Sequence, residues 1–541
     1  MTISIEKIRS NVIGDGVLFN TPFGDKPMVY ADYTASGRAL GFIEDAIAQQ
    51  VLPYYANTHT ETSFSGKQST VFREQARASI HQALNTSEKH KVIFTGSGAT
   101  SAINKLIDML NLRLPRELDV QYQFDAQIAE ADRPVVFIGP YEHHSNELPW
   151  RESIATLVVV PLTPLGQIDL EFLEQKLKQY QERPQLIGSF SAASNVTGLK
   201  TDVAAVSQLL HRYNAMSCWD YAAAAPYVGI DMQRDALDAV FISTHKFIGG
   251  PGTPGLLVIN SEKLSNKVPA VPGGGTVLYV SPESHTFIDN VERREEGGTP
   301  GIVESIRAGL VFKLQQSIGT EKIEALEHGL VTKAIKTLTA QADFQLLGCA
   351  DAARLSILSF NIKHGESVLH YGFVVALLND LFGIQARGGC SCAGPYGHEL
   401  LNLSMQESGA IEGQLHRGNM ILRPGWIRVN FNYFIDEQTF DYLTQAIKLV
   451  AEHGWRMLSQ YQFNQHNGTW EYNGERAVNT LSLDDLLENA ESIKPVTIES
   501  DQLNSYLEQG RAVLLAVQAQ KVAQPLKLCP DAEKLRWFAL S

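Results

Sequence analysis

The chain predicts an α/β architecture: a mainly parallel sheet covered by helices on both faces, followed by a smaller α+β unit. Three observations carry this. Short runs of Val, Ile, Leu and Phe alternate with helix-periodic stretches, as strands buried on both faces do. Glycine-rich turns stand where those runs end, at Gly96–Gly98 and Gly249–Gly252. From near residue 345 the alternation starts afresh, as expected of a second core in a chain of 541 residues.

The elements follow in order. Residues 1 to 20 hold a weak mixed pattern read as an arm, and Met28 to Asp32 reads as a strand followed by the small residues Thr34 to Gly37, which suit a close backbone approach to a ligand. Phe64 to Leu84 is helical in pattern, and Lys91 to Thr95 (KVIFT) is a strand running into GSGAT and the helix Ala102 to Leu110. Residues 112 to 133 are polar with little periodicity and read as an insertion. PVVFIG, TLVVVPL and QLIGSF, starting at Pro134, Thr156 and Gln185, are strands, with a helix over Asp169 to Tyr180. Met216 to Asp220 and Asp238 to Ile242 are two more strands, and Arg307 to Ser317 and Glu321 to Ala340 are helices. In the smaller unit Leu355 to Ile362, Ile384 to Gly389 and Trp426 to Phe431 read as strands, and Ser367 to Leu381 and Phe440 to Ala451 as helices. Beyond Gly454 the chain is polar at first and then carries helix-like runs at Leu481 to Ala490 and Asp501 to Val517.

Composition excludes several function classes. The balance of 45 Lys and Arg against 59 Asp and Glu gives a net charge of -14, without a basic cluster to follow a phosphate backbone, so nucleic acid is not an expected partner. Five cysteines without framework spacing suit a reducing compartment, so a cytoplasmic location is expected. No leader-like start and no run of 18 apolar residues is seen, so no membrane association is expected.

The chemistry gathers at strand ends. Asp238 to Ile242 stops at Ser243, Thr244, His245 and Lys246 before a glycine and proline cluster, so a strand delivers a lysine into a loop. Such an amine can form an imine with an aldehyde cofactor, which is pyridoxal phosphate chemistry. Strand, glycine turn and helix over Lys91 to Leu110 form an anion-binding arrangement, with Ala99 and Thr100 at the first helical turn offering unpaired N–H groups and the positive end of the dipole. Asp220 ends the strand MSCWD and can pair with a protonated pyridine nitrogen. Between two strands of the smaller unit lies RGGCSCAGPYG, with Cys390 and Cys392 on a flexible loop. Zinc needs four ligands and only His398 stands near, so no metal site is expected; a loop thiol suits a nucleophile or a carrier of sulfur.

FTGSGATSAIN, EHHSNELPW, SNVTG, WDYAAAAP, STHK, GGTP and RGGCSCAGP, in that order, resemble the class V aminotransferases among fold-type I pyridoxal-phosphate enzymes, and within them the cysteine desulfurases. The cysteine loop is also similar to the thiol loop of molybdenum-cofactor sulfurases. The resemblance spans residues 25 to 455 and implies a large domain with a mostly parallel seven-stranded sheet plus a small α+β domain. It implies an N-terminal arm over 1–24, a large cofactor-binding domain over 25–310, a small domain over 311–455 and an extension over 456–541. Lys246 would be the Schiff-base lysine, Asp220 the pyridinium partner and His143 the imidazole stacked on the ring. Ala99, Thr100, Ser243 and His245 would hold the phosphate, with Thr299 reaching the neighbour's phosphate across a homodimer. Asn195 would sit near the cofactor's 3-oxygen, Arg428 would take the substrate carboxylate, and Cys392 falls where desulfurases place the persulfide cysteine.

The chain departs from the pattern in places. Tyr221, Ala222 and Ala223 follow Asp220 where desulfurases usually carry Gly-Ala-Gln, so Ala223 offers no hydrogen bond to the 3-oxygen. Thr60 follows His59 where many carry an arginine, and Cys390 and Ser391 stand where one common branch has two histidines. The leading expectation is sulfur transfer from L-cysteine or an analogue through Lys246 and Cys392, with a possible sulfur-acceptor protein as partner. The alternative is transamination, racemisation or epimerisation, or β-elimination, using Lys246 without Cys392.

Overall fold

In a computed structural model the chain is described over residues 3–58, 60–474, 482–488, 496–517, 526 and 528–540. His59, and Leu481, Asn489 and Ala490 of the helix read near 485, lie outside the described residues. The chain divides into two compact units, one of Met1–Ile13, Thr34–Ala325 and Asp351–Leu355, the other of Gly14–Tyr33, Leu326–Ala350 and Ser356–Ser541.

The first unit is built on seven strands: β1 (His90–Thr95), β2 (Val135–Ile138), β3 (Thr156–Val159), β4 (Leu186–Ser191), β5 (Met216–Asp220), β6 (Ala239–Ser243) and β7 (Gly255–Asn260). They lie in the order β1-β7-β6-β5-β4-β2-β3. Only β7 runs against its neighbours, pairing antiparallel with β1 and β6, and the remaining pairs are parallel. This is the α/β fold that the residue pattern predicts. Every residue of β2, β4, β5, β6 and β7 is buried, which is why these strands read as continuous apolar runs rather than alternating ones. Helices α1 (Phe64–Ala83), α2 (Gly98–Met109), α3 (Leu170–Gln179), α4 (Val203–Arg212) and α5 (Ile302–Ile318) belong to this unit. α1 and α5 approach closely because Gly309 faces Ala76: a Cβ at Gly309 would stand 2.4 Å from the Ala76 Cβ. The polar stretch 112–133, read as an insertion, holds two short helices, Arg116–Tyr122 and Phe124–Gln127, whose residues are largely exposed and therefore leave little apolar periodicity.

The second unit has an antiparallel sheet of β8 (Phe344–Leu346), β9 (Ile357–His364), β10 (Arg387–Gly389) and β11 (Trp426–Asn430) in the order β8-β9-β11-β10. Helices α6 (Tyr371–Phe382), α7 (Glu437–His453) and α8 (Leu503–Ala516) belong to it, and their apolar faces share one core with the sheet. The single strand expected over Ile384 to Gly389 is two: Ile384–Gln385 pairs in parallel with Val29–Tyr30, and β10 pairs with β11. The break lets one run serve two sheets. The helix expected from Ser367 starts at Tyr371, because Ser367–Val368 folds back and pairs antiparallel with the end of β9, and His370 caps the helix by accepting the Gly372 N–H at 3.0 Å. The segment beyond Gly454 contributes Trp470, Leu503, Leu507, Leu514 and Phe538 to this core.

Candidate active site

The carboxyl end of β6 turns directly into a 3₁₀ turn, Thr244–Lys246, which presents Lys246 half-buried. The turn is held by backbone packing. A Cβ at Gly37 would fall 1.8 Å from the Phe247 carbonyl oxygen, and the Gly37 N–H donates to His245 O at 2.9 Å. Gly37, last of the small residues Thr34 to Gly37, thus allows the close approach of the backbone that carries the lysine. Gly250 has the same use, since a Cβ there would lie 2.3 Å from Thr244 O.

Beside this turn β1 ends and α2 begins, with Gly98 in the left-handed region at φ 59°. A Cβ at Gly98 would meet Ser243 Oγ at 2.7 Å and His245 Cε1 at 2.9 Å, so only glycine lets the three segments close. The Ala99 N–H donates to Ser243 Oγ at 3.0 Å, and the N-cap Ser97 makes no side-chain cap to α2. Ala99, Thr100, Ser243 and His245 are therefore brought to one helix N-terminus. Thr100 Oγ1 lies 2.6 Å from Ser145 Oγ, which lies 2.9 Å from His143 Nδ1, while the Ser145 N–H donates to the same ring nitrogen at 3.1 Å. An N–H pointing at Nδ1 makes that atom an acceptor, which places the proton of the neutral ring on Nε2.

Asp220 closes β5 beside β6 and is buried; the Ala222 N–H donates to its Oδ1 at 2.8 Å. Burial pushes its carboxyl above the usual range, and the Lys246 charge acts against that rise. Burial, reinforced by Lys246, holds His245 down to about 4. Asn195 is buried in the loop after β4, which starts beside Asp220 with the Ala192 N–H donating to Asp220 O at 2.9 Å. Thr299 is exposed on its glycine loop, where Asn57 Nδ2 donates to its hydroxyl at 3.3 Å, next to a cavity of about 630 Å³ lined by Gly96, Lys105, Glu295, Glu296 and Pro300 among others.

The second unit holds the other two groups. Arg428, in the middle of β11, is buried and pairs with Asp32 at 2.8 Å; burial lowers its pKa and Asp32 opposes the change. Cys392 is exposed. It occupies a four-residue turn closed by the Ala393 N–H donating to Cys390 O at 3.2 Å, with Ser391 and Cys392 both left-handed at φ 52° and 57°. Two consecutive non-glycine residues in that region are strained, and such strain gathers at functional loops.

Sequence reasoning gave no role to six residues of the site. Glu142, next to His143 in the chain, is buried and accepts from the N–H groups of Gly139 and Ser191, the Ser191 hydroxyl and Asn146 Nδ2; burial pushes its carboxyl up to about 8 against those bonds. Asn146 in turn accepts from Ser189 and Trp150, so Glu142, Asn146 and Trp150 pin EHHSNELPW to the sheet. Their spacing of four was the available signal. Ser145, Asp32 and Arg387 gave none beyond being polar at strand ends.

The model of the aminotransferase class-V family matches residues 29–406, well over half of the chain. The chain belongs to that family. Among curated proteins it is similar to a probable cysteine desulfurase of Streptomyces coelicolor, 29% identical over 373 residues that cover 68% of this chain and 84% of the relative. A probable cysteine desulfurase of Halalkalibacterium halodurans is also 29% identical, over 68% of this chain and 85% of its own length. Among solved structures the fold matches the cysteine desulfurase CsdA from Escherichia coli, with a TM-score of 0.65 and 22% identity, over 84% of this chain and 99% of that one. The apo structure of a cysteine desulfurase from Thermococcus onnurineus matches with a TM-score of 0.66 and 21% identity, covering 83% and 98%.

Proposed function

We propose that this class-V family member is a pyridoxal-phosphate-dependent enzyme that takes sulfur from L-cysteine or a close analogue and holds it on Cys392. The residues present fit the cofactor: the Gly98 cradle leaves the uncapped start of α2 facing Ser243 and His245, and a buried Asp220 stands at the end of the strand next to the one bearing Lys246. Ala99, Thr100, Ser243 and His245 would hold the phosphate, Asp220 the ring nitrogen, Asn195 the 3-oxygen and Lys246 the aldehyde carbon. When bound, the cofactor supplies an electron sink for a carbanion at the substrate α-carbon.

The chain's own residues do the rest. Lys246, as a free amine, removes the α-proton, and His143, with its proton on Nε2, gives or takes a proton at the substrate sulfur. Arg428 holds the substrate carboxylate. The Cys392 thiolate attacks the substrate sulfur, the carbon–sulfur bond breaks, its electron pair and a proton remain with the carbon, and alanine and a persulfide result. The observation that carries this reading over other class-V reactions is the exposed Cys392 thiol at the tip of a strained turn. The test is mass spectrometry after incubation with L-cysteine: one added sulfur on Cys392 with matching alanine is expected, and unmodified Cys392 with continued turnover would refute it.

A second reading, transamination, racemisation or β-elimination without Cys392, is favoured by one feature, the buried Ala223 that gives no side-chain donor where desulfurases carry glutamine. Cys392→Ser with undiminished activity would establish it. A homodimer is supported by the strand Val277–Val280, where Leu278, Tyr279 and Val280 are 73%, 68% and 59% exposed, an apolar edge that a second copy would cover. A sulfur-acceptor protein fits an exposed persulfide. Five free cysteines fit a reducing, cytoplasmic setting, and among the described residues no helix is long and apolar enough to cross a membrane.

A further inference from the structure

We propose that Asp32 sets how strongly the arginine pair Arg428 and Arg387 holds the carboxylate of a substrate with a single carboxyl group. The proposal rests on the reading of Arg428 as the carboxylate ligand.

Arg387 on β10 and Arg428 on β11 are direct cross-strand partners. Two cations so placed repel, and the sheet tolerates them only with an anion between. Asp32 is that anion: Oδ1 pairs with Arg428 at 2.8 Å and Oδ2 with the Arg387 Nε at 3.0 Å. The aspartate is fixed by its backbone independently of these pairs. Ala31 N–H donates to Gln385 O at 3.0 Å, Asn430 N–H to Ala31 O at 3.0 Å, and Tyr33 N–H to Asn430 Oδ1 at 2.8 Å.

The three groups carry one net positive charge. That charge suits one carboxylate, entering from the Arg387 side, where the side chain is 46% exposed against 3% for Arg428. An incoming carboxylate shares the two guanidinium groups with Asp32, so Asp32 is a built-in competitor. It keeps affinity moderate and allows the product amino acid to leave. Without it the burial of the Arg428 cation is no longer opposed by the Asp32 carboxylate, and a small carboxylate can take that place.

The test is thermal melting of the full chain in sodium acetate, with sodium chloride at equal ionic strength and neutral acetamide as controls. Asp32→Asn is expected to melt below the parent in chloride and to be restored by acetate at about one-tenth of the concentration the parent needs for its own half-maximal shift, while acetamide does nothing. Arg387→Gln, which keeps the Asp32–Arg428 pair and cancels the spare charge, is expected to need about tenfold more acetate than the parent. An equal acetate response in Asp32→Asn and the parent, or acetamide as effective as acetate, overturns the proposal. Should Asp32→Asn fail to fold, Arg387→Gln decides alone, and a response equal to the parent's overturns it. None of these readings needs cysteine turnover. A Cys392 persulfide without the acetate effect removes only this proposal, and the acetate effect without a persulfide removes only the desulfurase reading.

Discussion

At the scale of single residues, the site rests on groups whose ionisation is set by burial next to Lys246. His245 is held down to about 4, so the folded state favours its neutral ring. As pH falls below the ordinary histidine value near 6.5 the unfolded chain takes the proton first, and stability attributable to this residue is lost between about 6.5 and 4. His245→Asn is expected to flatten that part of the acid limb in chemical denaturation; an unchanged slope would show that His245 is not the group responsible. Lys246→Ala is expected to lower turnover by at least about 10²-fold. Borohydride reduction in the presence of pyridoxal phosphate should add the cofactor's mass at Lys246 in the parent and at no site in the variant.

At the scale of elements, two turns are decisive. The β1–α2 turn closes on β6 only because Gly98 has no side chain, so Gly98→Ala should push Ser243 and His245 apart and weaken pyridoxal phosphate binding by about tenfold or more, read by fluorescence titration. The β10 turn carries its strain in Ser391 and Cys392. Ser391→Gly should relieve part of it and raise unfolding free energy by roughly 1 kcal/mol, whereas Cys392→Ser should leave stability unchanged and abolish the persulfide. A destabilised Ser391→Gly would mean that the left-handed turn is not the resting state.

At the scale of the whole molecule, the second unit depends on chain that looked peripheral. His370, fully buried, accepts from Gly372 N–H and Trp470 Nε1 on Nδ1, lies 3.2 Å from Ile421 O through Nε2, and stacks on Trp537. Burial holds it down to about 3, so as pH falls from about 6.5 the unfolded chain is protonated first and the unit loses up to roughly 4 kcal/mol by pH 3. His370→Asn should remove most of that acid sensitivity, followed through the fluorescence of the tryptophans that pack on it. Removal of the tail beyond residue 526 should uncover this ring cluster, since Ala539 N–H donates to Val368 O at 2.8 Å and Phe538 is fully buried.

The sequence by itself determined the buried strands of the first unit, because strands covered on both faces must be apolar throughout, and it determined the strand-end positions of Lys246 and Asp220 and the glycine turn before α2. Those are local properties: a run of Val, Ile and Leu, a polar residue where it stops, a glycine where the backbone must turn left-handed. Only the tertiary structure decided that Asp32 lies between Arg387 and Arg428, which are 355 and 396 residues away along the chain. It also decided that Ser145 links Thr100 to His143, and that Trp470 and Phe538 complete a core begun near Val29. Such pairings are set by which strands lie side by side, and charge or periodicity within a short window carries no record of a neighbour hundreds of residues distant.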